Sequence, residues 1–195
     1  VLQCDIKKFF ANIDQTMLLA IMGNYIPDQD ILRLLSIVIG SFNSGTAGIG
    51  LPLGNLTSQL LVNIYMNELD QFVKHKLKAK YYIRYADDLA TMSHDRMYLE
   101  RVLSMMQEFL RDRLKLSMHP NKISIRTVAS GVDFLGWVHF PDHRVLRTVT
   151  KRRMLKKLSR DPGPSVVNSY LGLLSHGNTH KIKQRNAILS SCRTI

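Results

Sequence analysis

Residues 80–92 constrain the fold more than any other part of this sequence. They contain two β-prone runs, Tyr-Tyr-Ile-Arg-Tyr and Leu-Ala-Thr-Met, on either side of Ala86, Asp87 and Asp88. Short β-prone runs around a polar turn are typical of a β-hairpin. The sequence therefore predicts an antiparallel hairpin with two carboxylates at its tip.

An acidic pair at a hairpin tip has two explanations. Asp is common in turns because its side chain hydrogen-bonds nearby backbone groups. However, Asp5 also ends a predicted strand, residues 1–5, and carboxylates on neighbouring strands would meet at one edge of a sheet. Mg²⁺ prefers one or two carboxylates together with phosphate oxygens, and two such ions can assist an in-line phosphoryl displacement. The apolar runs that flank Asp87 and Asp88 favour metal binding over a solvated turn.

The rest of the chain alternates between helical and strand patterns. Apolar spacing predicts helices over residues 14–25, 28–38, 58–76 and 96–115. Residues 43–56 form a Gly-rich loop, and residues 123–149 are typical of short antiparallel strands. We predict an α+β fold in which an antiparallel sheet is backed by helices. The predicted domains are residues 1–150 and a basic helical segment, residues 151–195.

The charge of the chain indicates the class of its partner. The 195 residues include 27 Lys and Arg against 15 Asp and Glu, a net charge of +12, and 45% are hydrophobic. This composition excludes a disordered basic tail, and the apolar runs are too short to span a membrane. A surplus of positive charge usually serves nucleic acid or an anionic membrane, and we favour nucleic acid.

The two cysteines argue against a scaffold of disulfides or zinc. Cys4 and Cys192 lie at opposite ends of the chain, with no CxxC motif and no nearby His. His176 and His180 have helical spacing, but a Gly-Asn pair between them interrupts the helix, so a zinc pair is not predicted. We expect a cytoplasmic protein. The chain opens without Met or a signal peptide, and we expect it to begin inside a domain.

Five segments, in order, resemble motifs of reverse transcriptases. Residues 5–14 resemble the first palm motif, residues 50–59 the loop that contacts template and nucleotide, and residues 85–88 the YxDD box. Lys122 stands where the family has a Lys near the triphosphate, and residues 132–137 resemble the primer grip. The resemblance covers roughly residues 1 to 155. It implies a polymerase palm and the start of a thumb, with the fingers upstream of Val1.

The resemblance also implies an activity and a set of roles. The chain would be an RNA-directed DNA polymerase that uses two Mg²⁺ ions, with Mn²⁺ as a substitute, an RNA template, a DNA or RNA primer and dNTPs. Asp5 and Asp87 would hold the metal ions, assisted by the Ile6 carbonyl, and Asp88 would support them. Phe10 would lie under the deoxyribose and exclude ribonucleotides by steric overlap.

Other contacts are implied by the same family pattern. The neighbouring Phe9 is expected in the core, because strand alternation would turn only one of the two rings inward. Residues implied to contact template or nucleotide are Pro52, Leu53, Gly54, Ser58, Gln59 and Lys122. The implied primer grip is Phe134, Leu135 and Gly136. Ser58 is also predicted to cap the helix that follows the loop.

The Gly-rich loop departs from one subgroup of the family. Group II intron-type enzymes usually have Q-G-x-x-x-S-P here, whereas this chain has Leu53 and Gln59 at the first and last positions. The variant resembles enzymes of diversity-generating retroelements, which copy RNA with frequent errors opposite adenine and work with a small basic accessory protein. It implies an error-prone enzyme of a bacterial or phage element.

Two alternatives stay open at this point. A basic segment follows residue 150, and it would bind template and primer phosphates or form a solvated helix face. Its cations are Lys151, Arg152, Arg153, Lys156, Lys157 and Arg160. The whole chain is either a polymerase or a catalytically silent, maturase-like RNA-binding relative. Intact Asp5, Asp87 and Asp88 favour the polymerase.

Overall fold

A computed structural model describes residues 1–42, 45–160 and 163–179. Two compact units divide the chain, Val1–Ile125 and Arg126–Ile195. Both contain helices and antiparallel strands, so the predicted α+β class is confirmed. The division falls before the expected boundary near residue 150, and the assignment of palm and thumb stays a prediction.

The described residues of the first unit form a four-stranded antiparallel sheet and four α-helices. Its strands are β1 (Leu2–Asp5), β2 (Tyr81–Tyr85), β3 (Asp88–Met92) and β4 (Ser124–Ile125). Its α-helices are α1 (Gln15–Gly23), α2 (Gln29–Gly40), α3 (Leu56–Gln71) and α4 (Arg96–Leu114). The strand order is β2-β3-β1-β4, and the predicted hairpin is the pair β2 and β3.

The starts of α1 and α2 follow the capping chemistry of the sequence. Asp14 and Asp28 cap α1 and α2, and each side chain accepts hydrogen bonds from backbone N–H groups of the first turn. The predicted Ser58 cap is wrong. Helix α3 begins at Leu56 after an extended Asn55, so Ser58 lies inside the first turn and is only 1% exposed.

The predicted helix over residues 58–76 changes character before its end. Helix α3 stops at Gln71, and Phe72–Lys76 form a π-helical turn. Among the leucines of this helix, Leu61 and Leu69 are buried, but Leu60 is exposed. The core contains one face of α3 and α4, together with inward-facing residues of the sheet such as Leu2 and Leu89. Burial of side chains of this size contributes about 1.5 to 3 kcal/mol each.

The second unit has a smaller sheet and its own core. Its elements are β5 (Val132–Phe134), β6 (Trp137–His139), β7 (Arg144–Leu146), α5 (Thr148–Arg160) and α6 (Pro164–Leu174). Trp137, Leu146, Met154 and Leu174 form the core. Within the described ranges, no helix combines the length and apolar character needed to cross a membrane. His180 and Cys192 lie outside the described residues, and Cys4 is a buried free thiol.

Candidate active site

Carboxylates from two strands meet at one end of the four-stranded sheet. Asp5 is the last residue of β1, Asp88 is the first residue of β3, and the two are directly paired in the antiparallel register. Asp87 lies in the turn between β2 and β3, and its carbonyl accepts a hydrogen bond from the Ile6 N–H at 3.2 Å. The predicted convergence of these strands is therefore confirmed.

Lys122 contacts this carboxylate group directly. Its Nζ lies 2.7 Å from Oδ2 of Asp5, although the two residues are 117 positions apart. The hydrogen bond to Asp5 raises the pKa of Lys122. Burial opposes this increase, and the charges of Asp5, Asp87 and Asp88 add to it. The end of the sheet therefore already stabilises one positive charge beside Asp5.

Asp87 is in an environment that disfavours its negative charge. Burial raises the pKa of its carboxyl group, and the charge of Asp5 acts in the same direction. Its own backbone N–H and the charge of Lys122 oppose these effects without cancelling them. A further cation close to such a carboxyl group would stabilise its negatively charged form.

The turn that carries Asp87 has an unusual backbone. Ala86 has a φ of 51°, which places a residue with a Cβ atom in the left-handed region. This conformation costs roughly 1 to 2 kcal/mol for an L-residue other than glycine. Arg84 Nη1 donates to the Ala86 carbonyl at 3.2 Å, and Arg84 itself forms an ion pair with Asp70 at 2.6 Å.

The Gly-rich loop is attached to the segment that contains Phe10. The Gly50 N–H donates to the Ile13 carbonyl at 2.7 Å, and the Leu51 N–H donates to the Phe10 carbonyl at 2.8 Å. Buried Gln15 donates through Nε2 to the Gly50 carbonyl at 2.9 Å. These bonds hold the loop against the residues that follow β1.

The predicted loop residues differ in their accessibility. Leu53 is 78% exposed, Gln59 is exposed and Pro52 is partly buried, whereas Ser58 is buried. Gly54 has a φ of 90°, which favours glycine at this position. Only the accessible members of this set present side chains to an incoming molecule in this conformation, and their role stays a prediction.

Phe9 lies in the core as expected, but strand alternation is not the reason. Phe9 is buried and Phe10 is partly buried. The chain leaves the strand after Asp5, and Phe10–Asn12 form a 3-10 helix, so strand alternation does not separate the two rings. Phe9 and Phe10 pack edge to face with their centroids 5.4 Å apart.

Two predicted sites belong to the second unit. Leu135 and Gly136 form the two-residue turn between β5 and β6, with φ values of 52° and 83°, and Phe134 ends β5. Positive φ at both turn positions is the pattern of a type I′ hairpin. Helix α5 contains the six predicted cations, and most of them are exposed. Both predicted sites therefore lie within the second unit.

The donor set at the end of the four-stranded sheet supplies part of a Mg²⁺ shell, and water or substrate phosphates would supply the rest. In the described ranges, no group of three or more His, Cys, Asp or Glu side chains is arranged to hold a metal ion. Mg²⁺ needs fewer protein ligands than this, because one or two carboxylates and phosphate oxygens complete its shell. The carboxylates of Asp5 and Asp87 fit that chemistry. Asp5 already binds one cation, the ammonium group of Lys122.

Sequence reasoning missed the side chains that support the turn. Arg84, Asp70 and Tyr82 form a partly buried network behind it, in which the Tyr82 hydroxyl donates to Asp70 at 2.8 Å. Burial and the neighbouring Asp70 raise the pKa of Tyr82 well above its usual range. The one sequence signal for this network was Arg84, a charged residue within a strand that otherwise consists of Tyr and Ile.

Comparison with known proteins assigns the family. A family model described as reverse transcriptase (RNA-dependent DNA polymerase) matches residues 1–139. This chain belongs to the reverse transcriptase family.

Three curated proteins are similar to this chain at low identity. The COX1/OXI3 intron 2 protein of Saccharomyces cerevisiae is 22% identical over 199 residues, which cover 70% of this chain and 23% of that protein. Protein YkfC of Escherichia coli is 24% identical over 201 residues, which cover 83% of this chain and 51% of YkfC. A 91 kDa protein in a cob intron of Schizosaccharomyces pombe is 31% identical over 85 residues, which cover 40% of this chain and 10% of that protein. The chain thus spans about half of YkfC and less of the other two.

Proposed function

We propose that this chain carries the catalytic site of an RNA-directed DNA polymerase that extends a primer with deoxynucleotides. The observation that supports this most strongly is the pairing of Asp5 with Asp88 at the end of β1 and β3, with Asp87 in the adjoining turn. Family membership supports the reaction class. The geometry supports the choice of residues, because carboxylates that face one another need a cation or a proton.

The carboxylates would hold the metal ions of this reaction. Asp5 and Asp87, with the Ile6 carbonyl, are the proposed ligands, and Asp88 supports them from the neighbouring position of β3. Bound Mg²⁺ would supply charge stabilisation for the attacking and leaving oxygens of the phosphoryl group. Lys122 would release Asp5 when the metal and nucleotide bind, and its ammonium group would then be available to phosphate oxygens.

The remaining residues would bind and align the substrates. Phe10 would restrict the sugar to deoxyribose, and the exposed Leu53 with Gln59 would contact template or nucleotide. In the second unit, the turn at Leu135 and Gly136 would contact the primer. The cations of α5 would neutralise nucleic-acid phosphates, a contribution that depends steeply on salt.

The subgroup is a narrower proposal. Leu53 stands where a glutamine would offer a hydrogen bond, and it is 78% exposed. A hydrophobic contact senses the shape of a base pair more weakly than a buried polar contact that must be satisfied. This supports an error-prone enzyme of the diversity-generating type, with a small basic accessory protein as partner.

Primer extension on an RNA template tests the proposed function. A polypeptide that carries this chain should add dNTPs to an annealed primer with Mg²⁺ or Mn²⁺ and should stop when EDTA removes the metal. A DNA template of the same sequence and an RNA hairpin without primer are the controls. Tight RNA binding without any metal-dependent extension would instead identify a catalytically silent, maturase-like RNA-binding protein.

A further inference from the structure

We propose that Arg84 is a positioning residue, which directs the Asp87 carboxylate by holding the left-handed turn at Ala86. This inference rests on the proposed function, because it concerns the residue that would bind the metal ion. Arg84 lies on β2, two positions before Ala86, and its side chain is only 10% exposed. Its guanidinium donates hydrogen bonds to Asp70, Asn63 and the Ala86 carbonyl.

The guanidinium of Arg84 is fixed by Asp70 of α3. Nε lies 2.9 Å from Oδ1 and 3.1 Å from Oδ2 of Asp70, and Nη2 lies 2.6 Å from Oδ2. The Tyr82 hydroxyl donates to the same carboxylate at 2.8 Å. A planar guanidinium with two parallel bonds to a carboxylate has a fixed orientation, which an ammonium group cannot reproduce.

The third nitrogen of the guanidinium reaches the turn. Nη1 donates to the Ala86 carbonyl at 3.2 Å and to Oδ1 of Asn63 at 3.1 Å. Because Asn63 and Asp70 both belong to α3, the carbonyl of Ala86 is tied through Arg84 to a long, packed helix. The turn therefore takes its orientation from α3 as well as from the two strands that it joins.

These bonds fix the peptide groups on both sides of Asp87. The Ala86 carbonyl belongs to the peptide that precedes Asp87, and Arg84 holds it. The Asp87 carbonyl belongs to the peptide that follows, and the Ile6 N–H holds it at 3.2 Å. With both peptide planes fixed, the Cα–Cβ bond of Asp87 has one direction. A left-handed Ala86 persists only where its surroundings impose it, and Arg84 supplies part of that constraint.

A purely structural ion pair and a positioning residue predict different outcomes. Loss of a structural pair lowers the stability of the fold but leaves the metal affinity of the folded molecules unchanged. Loss of a positioning residue weakens metal binding in molecules that are fully folded. Residues that orient a metal ligand typically change metal affinity or activity by about 10- to 100-fold when they are replaced.

Mn²⁺ binding without nucleotide, followed by electron paramagnetic resonance, is the readout. The test variant is Arg84→Lys, which keeps the charge and loses the fork. The matched control is Arg96→Lys, whose arginine forms an exposed pair with Glu100 on α4. We expect Arg84→Lys to weaken Mn²⁺ binding about 10-fold or more and to lower kcat, with unchanged affinity for primer–template. Arg96→Lys should match the unaltered protein in all three.

Asp70→Asn gives a second route should Arg84→Lys fail to fold. It leaves Arg84 in place but removes the charge that orients it, so we expect Mn²⁺ binding to weaken several-fold. Folding of each variant is checked by circular dichroism at the temperature of the measurement. Mn²⁺ affinity within twofold of the unaltered protein, in whichever of the two variants folds, would overturn the positioning role.

Asp87→Asn separates failure of this inference from failure of the proposed function. If Asp87→Asn abolishes Mn²⁺ binding and extension while Arg84→Lys changes neither, only the positioning role is wrong. If Asp87→Asn also leaves both unchanged, the metal site is wrong and the positioning role is overturned with it.

Discussion

The charged groups at the end of the four-stranded sheet and those on α5 are held in opposite ways. At the end of the four-stranded sheet, Asp5 pairs with Lys122 and Arg84 pairs with Asp70, at 2.7 and 2.6 Å. On α5, Arg152, Arg153, Lys156 and Arg160 are exposed, and within the described ranges none of them forms an ion pair.

This difference corresponds to two kinds of work. A reaction at phosphorus needs charges that point at defined atoms, so partners that fix their direction are an advantage. Attraction of a nucleic-acid backbone needs only positive charge at the surface, and flexible cations supply it. We therefore expect changes in the first unit to alter rates and changes on α5 to alter binding.

Neutralisation of α5 should give the largest effect on binding. Replacement of Arg152, Arg153, Lys156 and Arg160 with Gln should weaken affinity for an RNA–DNA duplex by on the order of 10²-fold at 0.1 M salt, because up to four phosphate contacts are lost. The slope of log Kd against log salt should fall by about 0.9 for each contact. The rate at saturating duplex should stay the same.

A matched variant distinguishes local contact from general charge. Replacement of Lys74, Lys76, Lys78 and Lys80 with Gln removes the same charge from an exposed segment of the first unit. It should weaken binding far less than the α5 variant. Equal losses in the two variants would show that net charge alone attracts the duplex.

The next effect concerns how the first unit discriminates between ribonucleotides and deoxynucleotides. Phe10→Ala should reduce discrimination against ribonucleotides to about 10²-fold or less, because a wall without steric overlap rejects an added hydroxyl only this weakly. Incorporation of deoxynucleotides should change little, as measured by kcat/KM for matched dNTP and NTP pairs. Unaltered discrimination would return Phe10 to the core beside Phe9.

A smaller effect follows from the raised pKa of Asp87. A carboxyl whose pKa is higher in the folded chain stabilises the fold when neutral, and this contribution is lost as pH rises through the folded pKa. At pH 7 without metal, Asp87→Asn should therefore raise the free energy of unfolding, by less than about 1 kcal/mol because water screens this partly exposed carboxyl group. The gain should vanish near pH 3, below the unfolded pKa of about 3.9. Urea denaturation at both pH values measures this difference in the free energy of unfolding. A lower free energy of unfolding for Asp87→Asn at pH 7 would contradict the prediction.

The smallest effect is on accuracy. A glutamine at position 53 can donate or accept a hydrogen bond that penalises a misplaced base, so Leu53→Gln should lower misincorporation opposite adenine by a few-fold. Sequencing of cDNA made on a defined RNA template measures this. Error rates opposite adenine equal to those opposite other bases in the unaltered protein would argue against the diversity-generating subgroup.

The sequence predicted the elements of the site because its signals there are local. The β-prone runs around Asp87 and Asp88 lie within 13 residues, and Asp14 and Asp28 precede the helices that they cap. The convergence of the carboxylates required β1 to lie beside the hairpin, and β1 does pair with β3. The family motifs added the expected role of each residue, but they did not show which side chains contact one another.

The interactions that hold the site could not be predicted, because they join distant positions. Lys122 and Asp5 are 117 residues apart, and the pairing of Arg84 with Asp70 depends on how α3 packs behind β2. Nor did composition show that Asn55 is extended and that the helix begins before Ser58. Such details depend on tertiary packing, which overrides local preference.

The most direct test of the central claim is the single-turnover rate of nucleotide addition by Asp87→Asn at saturating primer–template and Mg²⁺. Asp112→Asn, an exposed carboxylate on α4 that pairs with Arg111, is the control. Our account predicts a loss of ~10³-fold or more for Asp87→Asn, roughly 4 kcal/mol of transition-state stabilisation, with unchanged duplex affinity and an unaffected control. A rate within tenfold of the unaltered protein would contradict the assignment of chemistry to this end of the sheet.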